Sequence, residues 1–505
     1  MTQGFSRRLI LNGLLATAGL PGFGLAAWAG APEQSLRPQP RGATPLRPRA
    51  TAPARSIADL VNEAALGGHV SFVVADARTG LILETRDAQR ALPPASVTKT
   101  ITALYALNAL GGDYRFTTKL VVTGPIVNGR VKGDLILVGG GDPVLNTDML
   151  ADMARDLKAA GVREVAGRFR VYGGALPYVR AIDGSQPDHL SYNPAVSGLN
   201  LNFNRVHFEW KRGAKGYDIV MDARARRYRP RVSVARMRVV RRQLPVYTYS
   251  SSKGVDNWTV ASQALGKGGS RWLPVRRPDI YAAEVFQTLA RAQGIVLKRA
   301  AVTRTAPTGP AVVVHQSTPL RAILKDLLKF STNLTAEAVG LTATRARGRS
   351  VQSLATSAAA MTDWMDSSLG AKRSRFVDHS GLEEDNRATT GDLVAAVVKE
   401  GPASEFSRLL KHVPMRDKSG KKIKDHPIQV RAKTGTLNFV SALAGYVTTP
   451  DGSELAFAIL TSDMKRRSAI ARADREIPKG ARSWNKRSKR LQQGLIERWA
   501  ALYGG

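Results

Sequence analysis

Apolar positions near the start of the folded part follow first a strand period and then a helix period. After a short predicted helix at 57–65, apolar runs at 70–75 and 81–85 are joined by a turn that ends in Gly80, which predicts a β-hairpin. The apolar run at 101–110 follows two prolines and ends at two glycines, so it predicts a helix of about four turns.

The last third of the chain shows similar patterns in the opposite order. Apolar residues with helical spacing predict helices at 320–328, 335–345 and 351–368. An alternating run at 441–449, a Pro-Asp-Gly turn and an apolar run at 455–460 predict a second hairpin. Two hairpins from distant parts of the chain, with helices packed against them, predict an α+β fold built on an antiparallel sheet.

The stretch between these two parts is predicted to be a β-rich insertion. Its predicted strands and helices lie at 117–123, 130–139, 146–160, 168–172 and 281–293. Because the sheet needs strands from both sides of this stretch, the chain must leave the first domain and return to it. We therefore assign 56–112 and 300–505 to one discontinuous domain and 113–299 to inserted accessory domains.

Composition narrows the classes of function. At 505 residues with 43% hydrophobic content, the chain is long enough for a large core and several domains. The absence of cysteine excludes disulfides, thiolate metal sites, cysteine nucleophiles and lipidation at cysteine. A net charge of +35 favours a polyanionic partner. The stretch 224–242 contains nine arginines and no acidic residue, and it is either a surface for an anionic polymer or a solvated strand face.

The N-terminal stretch indicates the compartment. Residues 1–31 combine Arg7 and Arg8 with an apolar run and small residues, which predicts a cleaved export signal, and paired arginines after a serine are typical of the twin-arginine type. Residues 32–55 are rich in proline and arginine, which predicts a flexible basic linker. Export to the periplasm argues against nucleic acid as the partner and for an anionic cell-wall or membrane surface.

The start of the helix at 101–110 carries candidate chemistry. Ser96 and Lys99 are three residues apart, so they share one face of a helix at its N-terminal end. A desolvated amine that has lost its proton acts as the base for a serine nucleophile. The alternative is an ordinary helix cap with a solvated lysine, because the same spacing recurs at other places such as Ser419 and Lys422.

Two other stretches combine hydroxyl, amide and amine groups. Ser331 and Asn333 lie in the loop between two predicted helices, and such a loop presents polar side chains to a cleft. Lys433, Thr434 and Gly435 precede the second hairpin, at the edge of a predicted strand. Similar short patterns begin at Ser191, Ser483 and Lys418. Lys418 lies in a charged loop, however, and neither serine stands at a proline-bounded start of an apolar helix.

In this order, the motifs Ser-x-x-Lys at Ser96, Ser-x-Asn at Ser331 and Lys-Thr-Gly at Lys433 resemble those of serine DD-peptidases and β-lactamases. The 235 residues between the first two motifs resemble the class C low-molecular-mass penicillin-binding proteins, the D-alanyl-D-alanine carboxypeptidase/endopeptidase family of serine peptidase S13 type. The stretches 133–143 and 378–386 support the resemblance. It implies a β-lactamase/transpeptidase-like catalytic domain with domains inserted between the first two motifs.

The resemblance also implies the chemistry. Ser96 would attack a D-alanine carbonyl of a peptidoglycan stem peptide with Lys99 as its base, and the backbone N–H groups of Ser96 and Thr436 would hold the oxyanion. Ser331 would pass a proton between Lys433 and the leaving amine. β-Lactams would arrest the enzyme as an acyl adduct, and no metal or organic cofactor is required.

Other residues would hold the substrate. By the same resemblance, Asn333 would bind the peptide backbone and orient Lys99, while Lys433 would bind the terminal carboxylate together with nearby threonines. The substrate-binding residues that the resemblance implies are Thr434, Gly435, Thr436 and Asp188. Asp188 would contact the free amino end of the stem peptide, unless it only caps a turn.

Three alternatives stay open at the level of sequence. A β-lactamase shares all three motifs, although it does not need a long insertion. A wall-bound scaffold would keep the motifs without turnover. A triad that uses His379 is compatible with composition, although Lys99 already supplies a base. Relatives often carry a basic residue shortly after the Ser-Gly-Leu that stands here at 380–382. This chain has Glu383 and Glu384 instead, which leaves open how it recognises the acidic end of the peptide side chain.

Overall fold

The computed structural model describes residues 54–504, which belong to one compact unit of the chain. The predicted export signal at 1–31 and all but the last residues of the predicted linker lie outside the described residues. The helices of the described part are α1 (Ile57–Ala64), α2 (Thr98–Leu110), α3 (Thr147–Ala159), α4 (Pro278–Ala292), α5 (Leu320–Phe330), α6 (Asn333–Ala346), α7 (Leu354–Leu369), α8 (Thr390–Glu400), α9 (Glu405–Leu409), α10 (Met464–Ser468) and α11 (Ala481–Tyr503).

The strands are distributed over both predicted parts of the chain. They are β1 (His69–Asp76), β2 (Ile82–Arg86), β3 (Thr117–Val122), β4 (Ile126–Val127), β5 (Arg130–Val131), β6 (Leu135–Gly139), β7 (Glu164–Val165), β8 (Phe169–Tyr172), β9 (Arg205–Gly213), β10 (Gly216–Asp222), β11 (Ala235–Val240), β12 (Tyr247–Ser252), β13 (Val255–Ala261), β14 (Gly268–Pro274), β15 (Ala301–Val302), β16 (Ala311–Gln316), β17 (Lys411–His412), β18 (Gln429–Leu437), β19 (Val440–Thr448) and β20 (Glu454–Ser462).

The predicted meeting of two distant hairpins is confirmed by a six-stranded antiparallel sheet. Its order is β17-β18-β19-β20-β1-β2, so strands from the end of the chain continue into strands from its beginning. β1 is buried on both faces because its apolar side chains alternate between two cores. Val73 and Ala75 face the core formed with α2 and α5–α8, whereas Phe72 and Val74 face the core formed with α1 and α11.

The C-terminal helix α11 packs its apolar face against the sheet. Leu491, Leu495, Ile496 and Trp499 are buried there. Near the start of the helix, Trp484 is also buried, and its Nε1 donates to the Leu66 carbonyl at 2.7 Å.

The stretch between the two parts forms its own sheets, as predicted. The sheet orders are β15-β8-β6-β3-β16, β4-β5-β7, β10-β9-β14 and β11-β13-β12, with α3 and α4 packed into the same core. β16 pairs with β3, so residues up to Gln316 remain in this part of the structure. The strand pairing thus extends about 17 residues past the predicted boundary at 299/300, although the division into domains stays a prediction.

The arginines of the stretch 224–242 differ in their contacts: some pair with acidic residues, and others are exposed. Arg224 pairs with Glu209 and Asp222, so this arginine serves the local structure. In β11, Arg236 and Arg238 are exposed while the alternate side chains are buried. An anionic partner for the exposed face stays a prediction. No helix within 54–504 is long and apolar enough to cross a membrane.

Candidate active site

Ser96 lies in a short 3₁₀ turn, Ala95–Val97, that leads directly into α2. The preceding residue, Ala95, has a left-handed backbone (φ 46°), which turns the chain sharply after the two prolines. Among residues 92–100, Ser96 alone is not buried. The turn therefore presents one hydroxyl at the surface of an otherwise buried helix start, as the sequence predicts.

Lys99 is completely buried beside this hydroxyl. Its Nζ lies 3.0 Å from Ser96 Oγ, 2.8 Å from Asn333 Oδ1 and 2.6 Å from the Ser380 carbonyl. Burial lowers the pKa of Lys99 to about 8, although the nearby carboxyl groups of Asp378 and Glu337 act in the opposite direction. A neutral amine has two hydrogens, which the two carbonyl oxygens accept, so its lone pair is left for the Ser96 hydroxyl.

The second motif reaches the site from the junction of α5 and α6. Ser331 has a left-handed backbone (φ 63°) that ends α5, and its Oγ accepts a hydrogen bond from Lys433 Nζ at 2.9 Å. Asn333 is the first residue of α6, and its Nδ2 donates to the Tyr192 carbonyl of the inserted part at 2.9 Å. The amide of Asn333 thus contacts both Lys99 and the insertion.

The third motif lies on β18, inside the strand rather than before it. Lys433 is buried, and its pKa is well below its usual value because of burial and the charges of Lys99 and Lys411. A Cβ built on Gly435 would lie 3.0 Å from the backbone nitrogen of Ser96, so only glycine allows this close approach. Thr436 is exposed one residue later.

One edge of β18 is free where the motif begins. β17 pairs with β18 at Arg431 and Ala432, and beyond them this edge has no strand partner among residues 54–504. Lys411, at the end of this pairing, donates from Nζ to Thr434 Oγ1 at 2.8 Å. An extended peptide can therefore add to this edge beside Ser96 and Lys433.

The loop 378–386 forms a part of the site. The sequence indicated this stretch only as support for the family resemblance. Its backbone turns around the buried Asp378 carboxylate, which accepts hydrogen bonds from Gly381 N at 2.6 Å and from Leu382 N at 3.0 Å. This turn directs the Ser380 carbonyl at Lys99. No spacing in the sequence reveals a backbone acceptor, so this contact was not predictable.

His379 is not in reach of the reacting groups. Its ring is buried, with Nε2 2.8 Å from Ser357 Oγ and Nδ1 3.4 Å from Met361 Sδ. Burial lowers its pKa to about 3. Because both ring nitrogens face α7, the alternative of a triad through His379 is wrong.

Asp188 lies in the inserted part, and no contact joins it to the three motifs. Its carboxylate is 3.3 Å from Arg180 and 3.5 Å from Arg472, and Tyr192, which contacts Asn333, follows four residues later. A role of Asp188 in substrate binding stays a prediction.

Near the end of the loop 378–386, Glu384 lies 3.6 Å from Arg467.

Substitution of Gly381 by alanine is expected to lower the free energy of unfolding by about 3 kcal/mol and to slow acylation of the protein. Gly381 has a φ of +73°, and its Cβ would lie 1.9 Å from the Ala95 carbonyl, next to Ser96. Gly370→Ala is the matched control, because Gly370 has a φ of +67° but nothing within 4 Å. Equal losses of Tm in the two variants would contradict the role of close approach.

Comparison with known proteins shows the family of this chain. Residues 54–479 match the D-Ala-D-Ala carboxypeptidase 3 (S13) family. The chain belongs to this family. It is therefore a serine-type DD-peptidase, a hydrolase that acts on peptidoglycan, and the β-lactamase alternative loses its support.

Individual relatives match over most of their length. The D-alanyl-D-alanine carboxypeptidase of Actinomadura sp. (strain R39) is 28% identical over 439 residues, which cover 80% of this chain and 79% of the relative. The D-alanyl-D-alanine carboxypeptidase DacB of Haemophilus influenzae is 24% identical over 423 residues, or 80% of this chain and 87% of the relative.

A solved structure shares the fold of this S13 family member. Penicillin binding protein 4 of Haemophilus influenzae aligns with a TM-score of 0.70 and 19% identity, covering 88% of this chain and 99% of that chain. The comparison confirms the predicted fold class, an α+β domain with an antiparallel sheet covered by helices and with β-rich insertions.

Proposed function

We propose that this peptidase acts through an acyl-enzyme on Ser96, and that it removes the terminal D-alanine from peptidoglycan stem peptides, cleaves peptide cross-links, or does both. The observation that carries the proposal is the set of three contacts around Lys99 Nζ. Two fixed carbonyl oxygens occupy the hydrogens of the neutral amine, and its third neighbour is Ser96 Oγ at 3.0 Å. This arrangement suits a base that activates a serine.

The reaction balances with the groups of the site. Ser96 Oγ forms a bond to the carbonyl carbon of the penultimate D-alanine, and its proton passes to Lys99. The bond to the terminal D-alanine then breaks, and Lys433 gives the leaving nitrogen a proton by way of Ser331, whose hydroxyl is 2.9 Å from Lys433 Nζ. Water then attacks the ester carbonyl and returns a proton to Lys433, while the released Ser96 oxygen takes its proton back from Lys99.

Binding groups for the substrate lie along the free edge of β18. The backbone N–H groups of Ser96 and Thr436 hold the oxyanion in this proposal, supported by the close passage of Gly435 past Ser96. Lys433 and Thr434 bind the terminal carboxylate, and the negative charge of that group favours protonated Lys433 against the burial that lowers its pKa in the free site. We also propose that the protein is exported and acts in the periplasm, since its substrate lies outside the cytoplasm.

Mass spectrometry after incubation with benzylpenicillin tests the proposal. Penicillin binding protein 4 of Haemophilus influenzae has been solved in complex with a β-lactam, which supports the choice of probe. We expect one adduct per chain, located at Ser96 by peptide mapping and released slowly, and release of D-alanine from a pentapeptide that ends in D-Ala-D-Ala. A cross-linked muropeptide dimer in the same assay measures the endopeptidase activity.

The other outcomes each select an alternative. Rapid turnover of penicillin without hydrolysis of the pentapeptide would indicate a β-lactamase. Neither adduct nor hydrolysis would leave a wall-bound scaffold as the function. An adduct on another residue would overturn the assignment of Ser96.

A further inference from the structure

Glu337 is a fully buried acidic residue behind the Lys99 base. It follows Asn333 by four residues on α6, so the two side chains lie on the same face of the helix. Its Oε2 accepts a hydrogen bond from the backbone N–H of His379 at 3.0 Å. His379 directly precedes Ser380, so Glu337 joins the two elements that carry the oxygen acceptors of Lys99.

The two buried carboxyl groups near Lys99 differ in how they are solvated. The Asp378 carboxylate accepts four N–H donors, from the backbone of Gly381, Leu382 and Glu383 and from the Asn386 side chain, at 2.6 to 3.0 Å. These donors stabilise its negative charge and oppose the burial that raises the pKa of Asp378. Glu337 has one backbone donor on Oε2 and only the Ser380 side chain besides, and its Oε1 has no hydrogen-bond partner at normal distance.

This difference determines where a proton resides. Burial and the charge of Asp378 raise the pKa of Glu337. The charged groups that act on Glu337 are Asp378 of the loop and Lys99 of α2, and the ring of His379 is neutral and faces α7. Two carboxylates beside one lysine in a dry interior are costly, so the less solvated group, Glu337, holds the proton.

We propose that Glu337 is a neutral acid and a positioning residue, which holds the two oxygen acceptors of Lys99 together. Glu337 and Lys99 also share one dissociable proton, and Lys99 becomes an active base only when that proton leaves from its own ammonium group. The inference rests on the proposed function of Lys99. When one proton leaves the pair, it comes either from the ammonium, which leaves an active base, or from the acid, which leaves Lys99 protonated and inactive. A glutamine at 337 keeps an oxygen acceptor for His379 N–H and removes the second route.

Rates of penicillin acylation of Glu337→Gln and Glu337→Leu between pH 6 and pH 10 test this role. We expect Glu337→Gln to keep the wild-type rate at pH 7 within about threefold, and to show a larger ratio of the rates at pH 9 and pH 7 than the wild type. Glu337→Leu leaves the His379 N–H without an acceptor, so its rate is expected to fall at least about tenfold while near-UV circular dichroism remains native. Glu284→Gln, on α4 of the insertion, is the matched control.

A second measurement does not depend on catalysis. A carboxyl group whose pKa is raised in the folded state binds more protons when folded, so it lowers the stability as the pH rises from the unfolded value of 4.5 toward the folded one. The Tm of Glu337→Gln relative to the wild type is therefore expected to increase from pH 5 to pH 8. The Tm of Glu284→Gln relative to the wild type is measured over the same pH range as the control.

Each outcome is decisive. A folded Glu337→Leu that is acylated at the wild-type rate would overturn the positioning role. If Glu337→Gln has the wild-type ratio of acylation rates at pH 9 and pH 7, and if its Tm relative to the wild type does not change with pH, the shared proton is overturned. A Glu337→Gln variant that is acylated as slowly as Glu337→Leu would show that Glu337 acts as an anion. If the wild type itself is not acylated, the proposed function fails, and the Tm series alone decides whether Glu337 is a neutral acid.

Discussion

Replacing Ser96 by alanine is expected to abolish the penicillin adduct and to lower the hydrolysis of a D-Ala-D-Ala pentapeptide by on the order of 10⁴-fold or more. The variant lacks the atom that forms the acyl-enzyme, whereas Lys99, Asn333 and the carbonyl of Ser380 remain in place. Ser96 is only partly buried and alanine is smaller, so the fold should tolerate the change. Intact-mass spectrometry and the release of free D-alanine measure the two losses.

Ser419→Ala is the control for this prediction. Ser419 precedes Lys422 with the same spacing, but both side chains are exposed in the loop between β17 and β18, and the Ser419 hydroxyl donates to Asp417 Oδ1 at 2.6 Å. We expect full activity and a full adduct in this variant. An adduct of normal mass in Ser96→Ala would show that another nucleophile reacts.

Replacing Lys99 by methionine is expected to slow acylation by about 10³-fold, within the range that a general base contributes. Methionine keeps the apolar stem in a site that is completely buried, and it removes a group whose charge is costly there. Stopped-flow or quenched-flow acylation with penicillin measures the rate constant. Lys422→Met is the control, with no expected change.

The pH dependence of the two proteins separates the role of Lys99 from general damage. The base form of Lys99 is the active one, so the wild-type rate rises with pH around the pKa of about 8. Two pH units below that value, about one hundredth of the amine is neutral. In Lys99→Met this rise of the acylation rate with pH should be absent. A wild-type rise centred near pH 6, or a rise that persists in Lys99→Met, would contradict the assignment of Lys99 as the base.

The parts of this site that the sequence predicts depend on short-range geometry. Ser96 and Lys99 are one helical turn apart, and prolines and glycines mark the ends of their helix, so local rules are sufficient for that pair. The three motifs in order then identify the family. The fold class follows from two predicted hairpins. Neither can bury its apolar face alone, so both are expected to join one sheet with helices packed against it.

The contacts that sequence reasoning missed all join distant segments. Lys99 meets the carbonyl of Ser380 across 281 residues, and nothing in the side-chain pattern marks a backbone acceptor. Glu337 looks like a residue of an ordinary helix, because its burial depends on how α6 packs against the loop 378–386. The last strand of the insertion was also missed, since β16 is short and partly exposed and its partner β3 lies far earlier in the chain.

The position of β1 has a consequence for biosynthesis. β1 pairs on one side with β2, which the ribosome makes a few residues later, and on the other side with residues 455–462 near the end of the chain. Closing so long a loop delays the central sheet until β20 has been translated. A chain that stops before β18 has Ser96 but lacks Lys433 and the edge beside it. Labelling by a fluorescent penicillin would therefore count only molecules translated past β20, which makes Ser96 a reporter of sheet closure in pulse-labelled cells.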